Sequence, residues 1–141
     1  MSPNNPYDCR LWRQLSVFLE DRPGTLGEVC RTLGEAGINI WALTLAEGVS
    51  HGYLRMIVDA PDRAIEILRN NGYLFFEKEV LLLELANQPG GLAAVARRWG
   101  EAGVNIEYCY CASSPRVPVG LVVVKTDNVD RAMAVLRNEA Q

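Results

Sequence analysis

Asp21-Arg22-Pro23-Gly24-Thr25-Leu26 and, after one helix length, Gly37-Ile38-Asn39-Ile40 are the stretches that organise this chain. Both return 66 residues later, as Asn87-Gln88-Pro89-Gly90-Gly91-Leu92 and Gly103-Val104-Asn105-Ile106. A Pro-Gly step cannot continue a strand, because proline fixes φ and lacks an N–H while glycine adopts conformations that other residues avoid. Each occurrence therefore predicts a strand, a turn and a helix whose first N–H groups point at the turn.

The composition is that of a folded protein. Of the 141 residues, 49% are hydrophobic and 22% are charged, which is typical of a globular domain and excludes extensive disorder. The length fits one ordinary domain or two small domains of about 65 residues that share a core. The repeat favours two small domains.

Charge and hydropathy exclude several classes of partner. The net charge is −3 and Lys and Arg form no basic stripe, so we expect no nucleic-acid partner. The longest apolar runs, Val80–Leu83 and Val119–Val124, are far shorter than the roughly 20 residues that cross a bilayer, so we expect no membrane partner. Residues 1–6 lack the features of a secretion signal, which predicts a cytoplasmic protein with reduced cysteines.

Helical periodicity follows each Pro-Gly turn. Apolar residues recur at helical spacing over 25–36 and again over 92–102, so each helix presents one apolar face to a sheet. Gly37 and Gly103 come directly after these segments and are expected to end the helices.

Two local patterns add detail to these helices. Thr25 followed by Glu28 predicts a capping box at the start of the first helix. Gly34 and Gly100 lie inside the last turns, where a glycine should cost about 1 kcal/mol relative to alanine. Their presence in both copies predicts that another group packs closely against each turn.

Strand-like alternation surrounds the helices, and each copy closes with a second helix near 62–70 and 130–138. The first copy reads strand, helix, two strands, helix, strand. The fold class expected is therefore α/β, an α+β sandwich of ferredoxin-like type, with two βαββαβ repeats and an antiparallel sheet covered by helices on one face. The predicted strands are 10–20, 39–47, 51–59 and 73–76, then 79–85, 105–112 and 119–126.

Three segments follow from this pattern. Residues 1–14 are an N-terminal lead-in, residues 15–78 the first repeat and residues 79–141 the second. The second repeat lacks a final strand, and the residues around 7–12 could supply the missing edge.

The repeated unit resembles the ACT domain, here in tandem. The resemblance rests on Asp-Arg-Pro-Gly-Thr-Leu and Asn-Gln-Pro-Gly-Gly-Leu, each with an asparagine fifteen residues after the first glycine, in Gly-(Ile/Val)-Asn-Ile. It extends from Leu15 to Asn138. ACT domains are small-molecule sensors, usually for amino acids, and the chain is similar to small proteins with two ACT units, some described as regulatory subunits of acetolactate synthase.

The resemblance also implies where a ligand binds. In family members that bind an amino acid, the ligand lies between two ACT units, held by the turn after the first strand and by the asparagine after the first helix. The residues implied are Asp21, Gly24, Thr25, Leu26, Asn39 and Ile40 in the first copy, and Asn87, Gly90, Gly91, Leu92, Asn105 and Ile106 in the second.

The polar residues of this set fit a zwitterion on physical grounds. A helix N-terminus attracts a carboxylate, and the side-chain oxygens of Asp21 and Asn39, or Asn87 and Asn105, can accept from an ammonium. The alternative is structural: Asp and Asn often cap turns or stop helices. Because a carboxylate at Asp21 corresponds to an amide at Asn87, we expect the two sites to be unequal.

Two cysteines offer a different chemistry. Cys109 and Cys111 share one side of a predicted strand and correspond to Leu43 and Leu45 of the first copy. This correspondence favours a role as small buried thiols in the core. A metal or thiol sensor is the weaker alternative, because structural zinc sites show longer Cys spacings.

The remaining candidate is His51, the single histidine, at a hairpin turn. It is either an exposed loop residue or a ligand contact. The sequence shows neither a nucleophile–histidine arrangement nor a paired acid and base, so we expect no enzyme and no cofactor.

Together these observations predict a non-catalytic regulatory protein that binds an amino acid at ACT–ACT interfaces, within one chain or across a homodimer. The alternative is a regulatory subunit whose main role is docking to a biosynthetic enzyme such as acetolactate synthase.

Overall fold

The computed structural model describes residues 8–48 and 51–138 of the chain. The expectations for residues 1–7 and for the hairpin residues Val49 and Ser50 lie outside the described residues. The elements are β1 Asp8–Glu20, α1 Thr25–Glu35, β2 Ile40–Glu47, β3 His51–Val58, α2 Pro61–Asn70, β4 Phe75–Ala86, α3 Gly91–Glu101, β5 Ile106–Ala112, β6 Val119–Thr126 and α4 Val129–Asn138.

The chain forms two compact units, and both β1 and β4 pass from one unit into the other. One unit is Arg13–Lys78, which holds the first repeat, and the other joins the chain up to Trp12 to the chain from Glu79 onward. The strand order is β2-β3-β1-β4 in the first unit and β1-β4-β6-β5 in the second. Cys9 and Leu11, from the start of β1, pack against the core of the second repeat.

The ferredoxin-like fold is confirmed, and strand register explains its layering. In the first unit β1 and β2 both pair with β3 in antiparallel fashion, with Val17 opposite Leu54. Opposite residues share one face of a sheet, and these two lie in one buried cluster with Val29 and Leu33 of α1. The helices therefore cover the face formed by alternate strand residues.

The second repeat builds its core from equivalent positions. Leu83 of β4 lies opposite Val122 of β6, and both are buried with Val95 and Trp99 of α3. Trp99 takes the place of Leu33, and its indole N–H donates to the backbone oxygen of Ala132 in α4 at 2.9 Å. This hydrogen bond offsets the cost of burying the indole N–H.

Gly37 ends α1 as expected. Its φ is +78°, its N–H donates to the Gly34 carbonyl at 3.0 Å, and the next residue, Ile38, donates to the Leu33 carbonyl at 3.1 Å. This is the Schellman pattern, in which a residue in the left-handed region satisfies the last helical carbonyls. Gly103 forms the same pattern after α3, with a φ of +76°.

One predicted chain break is wrong. Two strands were expected at 73–76 and 79–85, but the structure has a single strand, β4, from Phe75 to Ala86. Glu77 and Lys78 carry no turn signal, because neither residue favours a conformation that interrupts an extended chain. The two polar residues interrupt the apolar pattern, and this interruption led to the wrong prediction of a strand end.

The capping box at α1 is also absent. Gly24 occupies the N-cap position and no side chain caps the helix. Thr25 is already the first helical residue, and its hydroxyl points back to donate to the Glu20 carbonyl at 3.1 Å and the Arg22 carbonyl at 3.3 Å. The threonine therefore stabilises the turn before the helix.

The close packing expected at Gly34 and Gly100 is not found. A Cβ placed on either glycine would meet no atom within 4 Å among the described residues, apart from the helix's own nearby backbone. Neither glycine has a positive φ. Within the described chain, no neighbouring atom requires the residue at either helical position to be a glycine.

Gly34→Ala and Gly100→Ala should each raise the free energy of unfolding by about 0.5–1 kcal/mol, because alanine favours the helix and restricts the unfolded chain. Gly37→Ala is the matched control: at its positive φ, alanine should lower the free energy of unfolding by about 1–2 kcal/mol. Urea denaturation followed by circular dichroism measures all three. A loss of stability in both helical variants would contradict the open space seen at these positions.

Candidate functional site

The turn after β1 is a short, tightly bonded structure. The Arg22 N–H donates to the Glu20 carbonyl at 2.9 Å, which makes Asp21 the centre of a three-residue turn. Gly24 then adopts φ +91° and ψ −10°, a conformation that favours glycine. Helix α1 begins at the next residue, Thr25, so its first N–H groups lie beside the turn.

The second repeat reproduces this backbone with different side chains. The Gln88 N–H donates to the Ala86 carbonyl at 2.8 Å, which places Asn87 at the centre of the equivalent turn. Gly90 has φ +87° and ψ −6°, and α3 begins at Gly91. Leu92, in the first turn of α3, packs against the core of its own repeat.

A cavity of about 190 Å³ lies at the first turn. It is smaller than the roughly 300–1,000 Å³ of drug-sized ligand sites, which suits a molecule no larger than an amino acid. Leu45 of β2 and Gly52 of β3 also line it, and sequence reasoning missed both. The predicted site residues that line it are Asp21, Gly24, Thr25 and Leu26.

The sequence contains an indication for Gly52 and, through it, for its neighbour Leu45. Glycine occupies the same place in both copies, at Gly52 and Gly120. A Cβ at Gly52 would approach the Leu45 Cδ1 atom to 3.3 Å. The small residue thus leaves room beside the turn, and a glycine inside a strand often marks a close approach of this kind.

Asn39 and Ile40 do not line this cavity. Asn39 lies after α1 with an exposed side chain, while its backbone N–H donates to Asp59 Oδ1 at 3.0 Å and its carbonyl accepts from the Asp59 N–H at 3.0 Å. Ile40 is half-buried against the core of the first repeat. The structure therefore separates these two predicted residues from the other four.

Asn105 and Ile106 occupy equivalent places in the second repeat. The Asn105 N–H donates to Asp127 Oδ1 at 3.1 Å, and its carbonyl accepts from the Asp127 N–H at 3.0 Å. Ile106 packs against the core of its own repeat. In each pair the aspartate fixes the backbone, and the asparagine side chain remains exposed at the surface.

These contacts weaken the helix-stop explanation for Asn39 and Asn105. Among the described residues only glycines have a positive φ, so neither asparagine is needed for a left-handed conformation. Gly37 and Gly103 already end the helices. Among residues 8–48 and 51–138, the backbone contacts of Asn39 and Asn105 do not require an amide side chain at these two places.

Asn87, in contrast, has a structural task. Its Nδ2 donates to the Ser114 and Val117 carbonyls, both at 2.9 Å, and its backbone N–H donates to the Pro118 carbonyl at 2.9 Å. These bonds hold the loop between β5 and β6. Both amide hydrogens are used, and Oδ1 is the atom of this side chain left to accept from a ligand.

Cys109 and Cys111 are exposed, so the predicted core role is wrong. They do share the helix-covered face, because they lie opposite the buried Val124 and Val122. Strand β5 lies at the edge of the sheet, however, and the helices do not cover it there.

The first repeat shows the same effect. Leu43 and Leu45 on the edge strand β2 are 40% and 47% exposed. Alternation along a strand indicates which face a residue occupies. It does not indicate how far the helices extend across that face.

The metal-sensor alternative finds no support in the described part of the chain. No group of three or more His, Cys, Asp and Glu residues is arranged to hold a metal ion in residues 8–48 and 51–138. His51 is exposed at the start of β3. Within the same residues, no helix has the length and apolar character needed to span a membrane.

Comparison with known proteins agrees with the repeated turn and helix. Residues 11–140 match a family model described as an ACT domain pair. Protein BT0572 from Bacteroides thetaiotaomicron is 36% identical, with a TM-score of 0.86 over 93% of this chain and 90% of that chain. No curated protein sequence matches significantly.

Two further structures share the fold. The regulatory subunit of aspartate kinase from Thermus thermophilus, in its ligand-free form, is 19% identical, with a TM-score of 0.65 over 94% of this chain and 97% of that chain. The same subunit from Thermus flavus is 18% identical, with a TM-score of 0.64 over 95% and 94% of the two chains. At these identities the likeness concerns the fold alone.

Asn87→Ala should lower the free energy of unfolding by about 1–2 kcal/mol, because two loop carbonyls lose their donor. The matched variant Asp21→Ala, at the equivalent and likewise exposed position, should change it by less than about 0.5 kcal/mol. Urea denaturation compares the two variants. Equal losses would contradict the structural task assigned to Asn87.

Thiol labelling at pH 8 should separate the cysteines. Cys109 and Cys111 should react first, because they are exposed, whereas burial raises the pKa of Cys9 to about 11 and leaves about one thousandth of it as thiolate. Labelling of Cys9 should speed up about tenfold per pH unit below its pKa. Fast labelling that persists in a Cys109→Ser, Cys111→Ser double variant would contradict this order. Cys30→Ser is the control, because it shows how much of the labelling comes from Cys30.

Proposed function

The chain belongs to the ACT domain pair family, and from this we propose that it is a non-catalytic regulatory protein that binds an amino acid and signals to amino-acid metabolism. The observation that carries the proposal is the cavity of about 190 Å³ between the Asp21 turn and the start of α1. Its size and its polar groups fit a zwitterion.

The two charges of an amino acid find different partners at this turn. The N–H groups at the start of α1 have no acceptor inside the helix, and the helix dipole adds partial positive charge, so they attract the carboxylate. The exposed carboxylate of Asp21 lines the same cavity and attracts the ammonium. Leu26 and Leu45 give the cavity an apolar side for the rest of the ligand.

A second copy of the chain completes the site in this proposal. The backbone contacts of Asn39 do not require an amide side chain, yet Asn39 does not line the cavity of its own repeat. We assign it, with Asn105, to a cavity on a second copy in a homodimer. A ligand held between two copies stabilises one arrangement over others, and this population shift is the signal.

The two repeats should bind with unequal affinity. Asp21 offers a negative charge to an ammonium, while Asn87 offers one neutral oxygen, because its amide hydrogens hold the loop between β5 and β6. A hydrogen bond to a charged group is worth about 1.5–3 kcal/mol against about 1 kcal/mol for a neutral one. The first repeat is therefore the tighter site for a ligand with a free ammonium.

A thermal-shift screen against the twenty amino acids tests the proposal. At 100 times its dissociation constant, a ligand that binds only the folded protein adds about 2.7 kcal/mol, which raises the melting temperature by several degrees. We expect one amino acid or a few related ones to do so. Asp21→Ala and Asn39→Ala should reduce the shift, while the exposed control Asn70→Ala should not.

The opposite results have clear meanings. No shift with any of the twenty, in a protein that is folded and dimeric, would refute amino-acid binding. Co-purification with a biosynthetic enzyme such as acetolactate synthase in the absence of ligand would then support the docking alternative. Equal losses of affinity in Asp21→Ala and Asn87→Ala would refute the inequality of the two sites.

A further inference from the structure

A second and larger cavity lies in the first repeat. It measures about 600 Å³ and is bounded by the end of β1, the first turn of α1, the start of β3 and the segment between α2 and β4. It shares four residues with the smaller cavity, Leu19, Glu20, Arg22 and Thr25, but Asp21 and Gly24 do not line it. The two cavities are therefore adjacent and distinct.

One wall of this larger cavity is apolar and exposed. Leu74 is 69% exposed, and Phe18 and Tyr73 line the cavity beside it. The Phe18 N–H donates to the Leu74 carbonyl at 3.0 Å, which holds this segment against β1. Contact with a ligand would remove apolar surface from water here.

Three charged side chains also line this cavity: Glu20, Arg22 and Glu28. Arg22 bridges two carboxylates, with Nε at 2.8 Å from Glu20 Oε2 and Nη2 at 3.5 Å from Glu28 Oε2. The three side chains together carry one net negative charge. Because each carboxylate has a second oxygen, both can accept further hydrogen bonds while they remain paired with the guanidinium.

The fold does not require these charges. The second repeat forms the same turn with Ala86, Gln88 and Ala94 at the places of Glu20, Arg22 and Glu28. Exposed ion pairs add only about 0–1 kcal/mol to stability. A charged group of side chains that is confined to one repeat, in a cavity that also has an exposed apolar lining, has the composition of a binding site.

We propose that this cavity binds a small organic cation with an apolar body, of the primary alkylammonium class. The ammonium donates to the Glu20 and Glu28 carboxylates, and the alkyl chain lies along Phe18 and Leu74. Arg22 keeps the two carboxylates in place. The lining also includes His51, at the start of β3. An organic anion is disfavoured, because the three charged side chains Glu20, Arg22 and Glu28 are net negative together and the guanidinium is already paired. Although Glu20 lines both cavities, the groups assigned to the amino acid, Asp21 and the first N–H groups of α1, are not the groups that bind the ammonium here.

Titration with hexylamine tests the proposal, since a primary amine is protonated at pH 7, as lysine is. Isothermal calorimetry and amide chemical shifts on the full chain should give a dissociation constant on the order of 1 mM, with shifts at the residues around Leu74. Hexanoate and hexanol, which share the alkyl chain, should bind about tenfold more weakly or not at all. Added salt should weaken hexylamine binding.

Variants locate the site. Glu28→Gln should weaken hexylamine binding about fivefold, the factor that corresponds to about 1 kcal/mol, and Leu74→Ser should also weaken it. Glu35→Gln, an exposed glutamate on the same helix that pairs with Arg31, is the matched control and should leave it unchanged. Asp21→Ala should not alter hexylamine binding, and Glu28→Gln should not abolish an amino-acid shift.

Three results would each overturn this proposal: no binding of hexylamine up to about 50 times the expected constant, hexanoate binding as tightly as hexylamine, or equal weakening by Glu28→Gln and Glu35→Gln. All the substituted side chains are at least half exposed or lie at the surface of α1 and the segment before β4, so the variants should fold.

Discussion

A positive φ at one glycine per repeat is the constraint on which the site depends. At Gly24, and again at Gly90, the chain must pass from the end of a strand to the start of a helix within a few residues. A side chain at that φ would be strained, so glycine is required. The sharp reversal leaves the first helical N–H groups beside Asp21 in one repeat and Asn87 in the other. Backbone geometry thus creates the site before any side chain defines its ligand.

The sequence predicts the parts of the fold that follow local rules. Alternation over Leu15, Val17 and Leu19 gives a buried strand face, and glycine after an apolar helical stripe gives the helix end at Gly37. These signals work because side-chain direction and helix termination depend on a few neighbouring residues. The repeat doubles each signal, since a pattern that occurs at the same place in both copies is unlikely to arise by chance. Four of the six predicted site residues in the first repeat line one cavity because they are close together in the turn after β1.

The failures concern non-local information. Cys109 lies on the predicted face but is exposed, because its strand is at the sheet edge, and edge position depends on the order of distant strands. Leu45 and Gly52 reach the site from a different hairpin. The continuous strand Phe75–Ala86 was predicted as two strands, because the polar pair Glu77 and Lys78 interrupts the apolar pattern although it carries no turn signal. The residues around 7–12 were expected as an edge only because the second repeat lacks a final strand, and no local pattern indicates that a single strand, β1, serves both units.

The two repeats show which residues the fold requires and which it leaves open to function. Positions that are apolar in both, such as Val29 and Val95, are explained by the core. Equivalent positions that have the same backbone hydrogen bonds but differ in charge, such as Glu20 and Ala86, are not explained by the core. The second repeat folds without the charges of the first, so folding does not account for them. Binding selectivity is therefore best sought where equivalent positions differ, because those differences change the ligand that is attracted while the backbone that surrounds it stays the same.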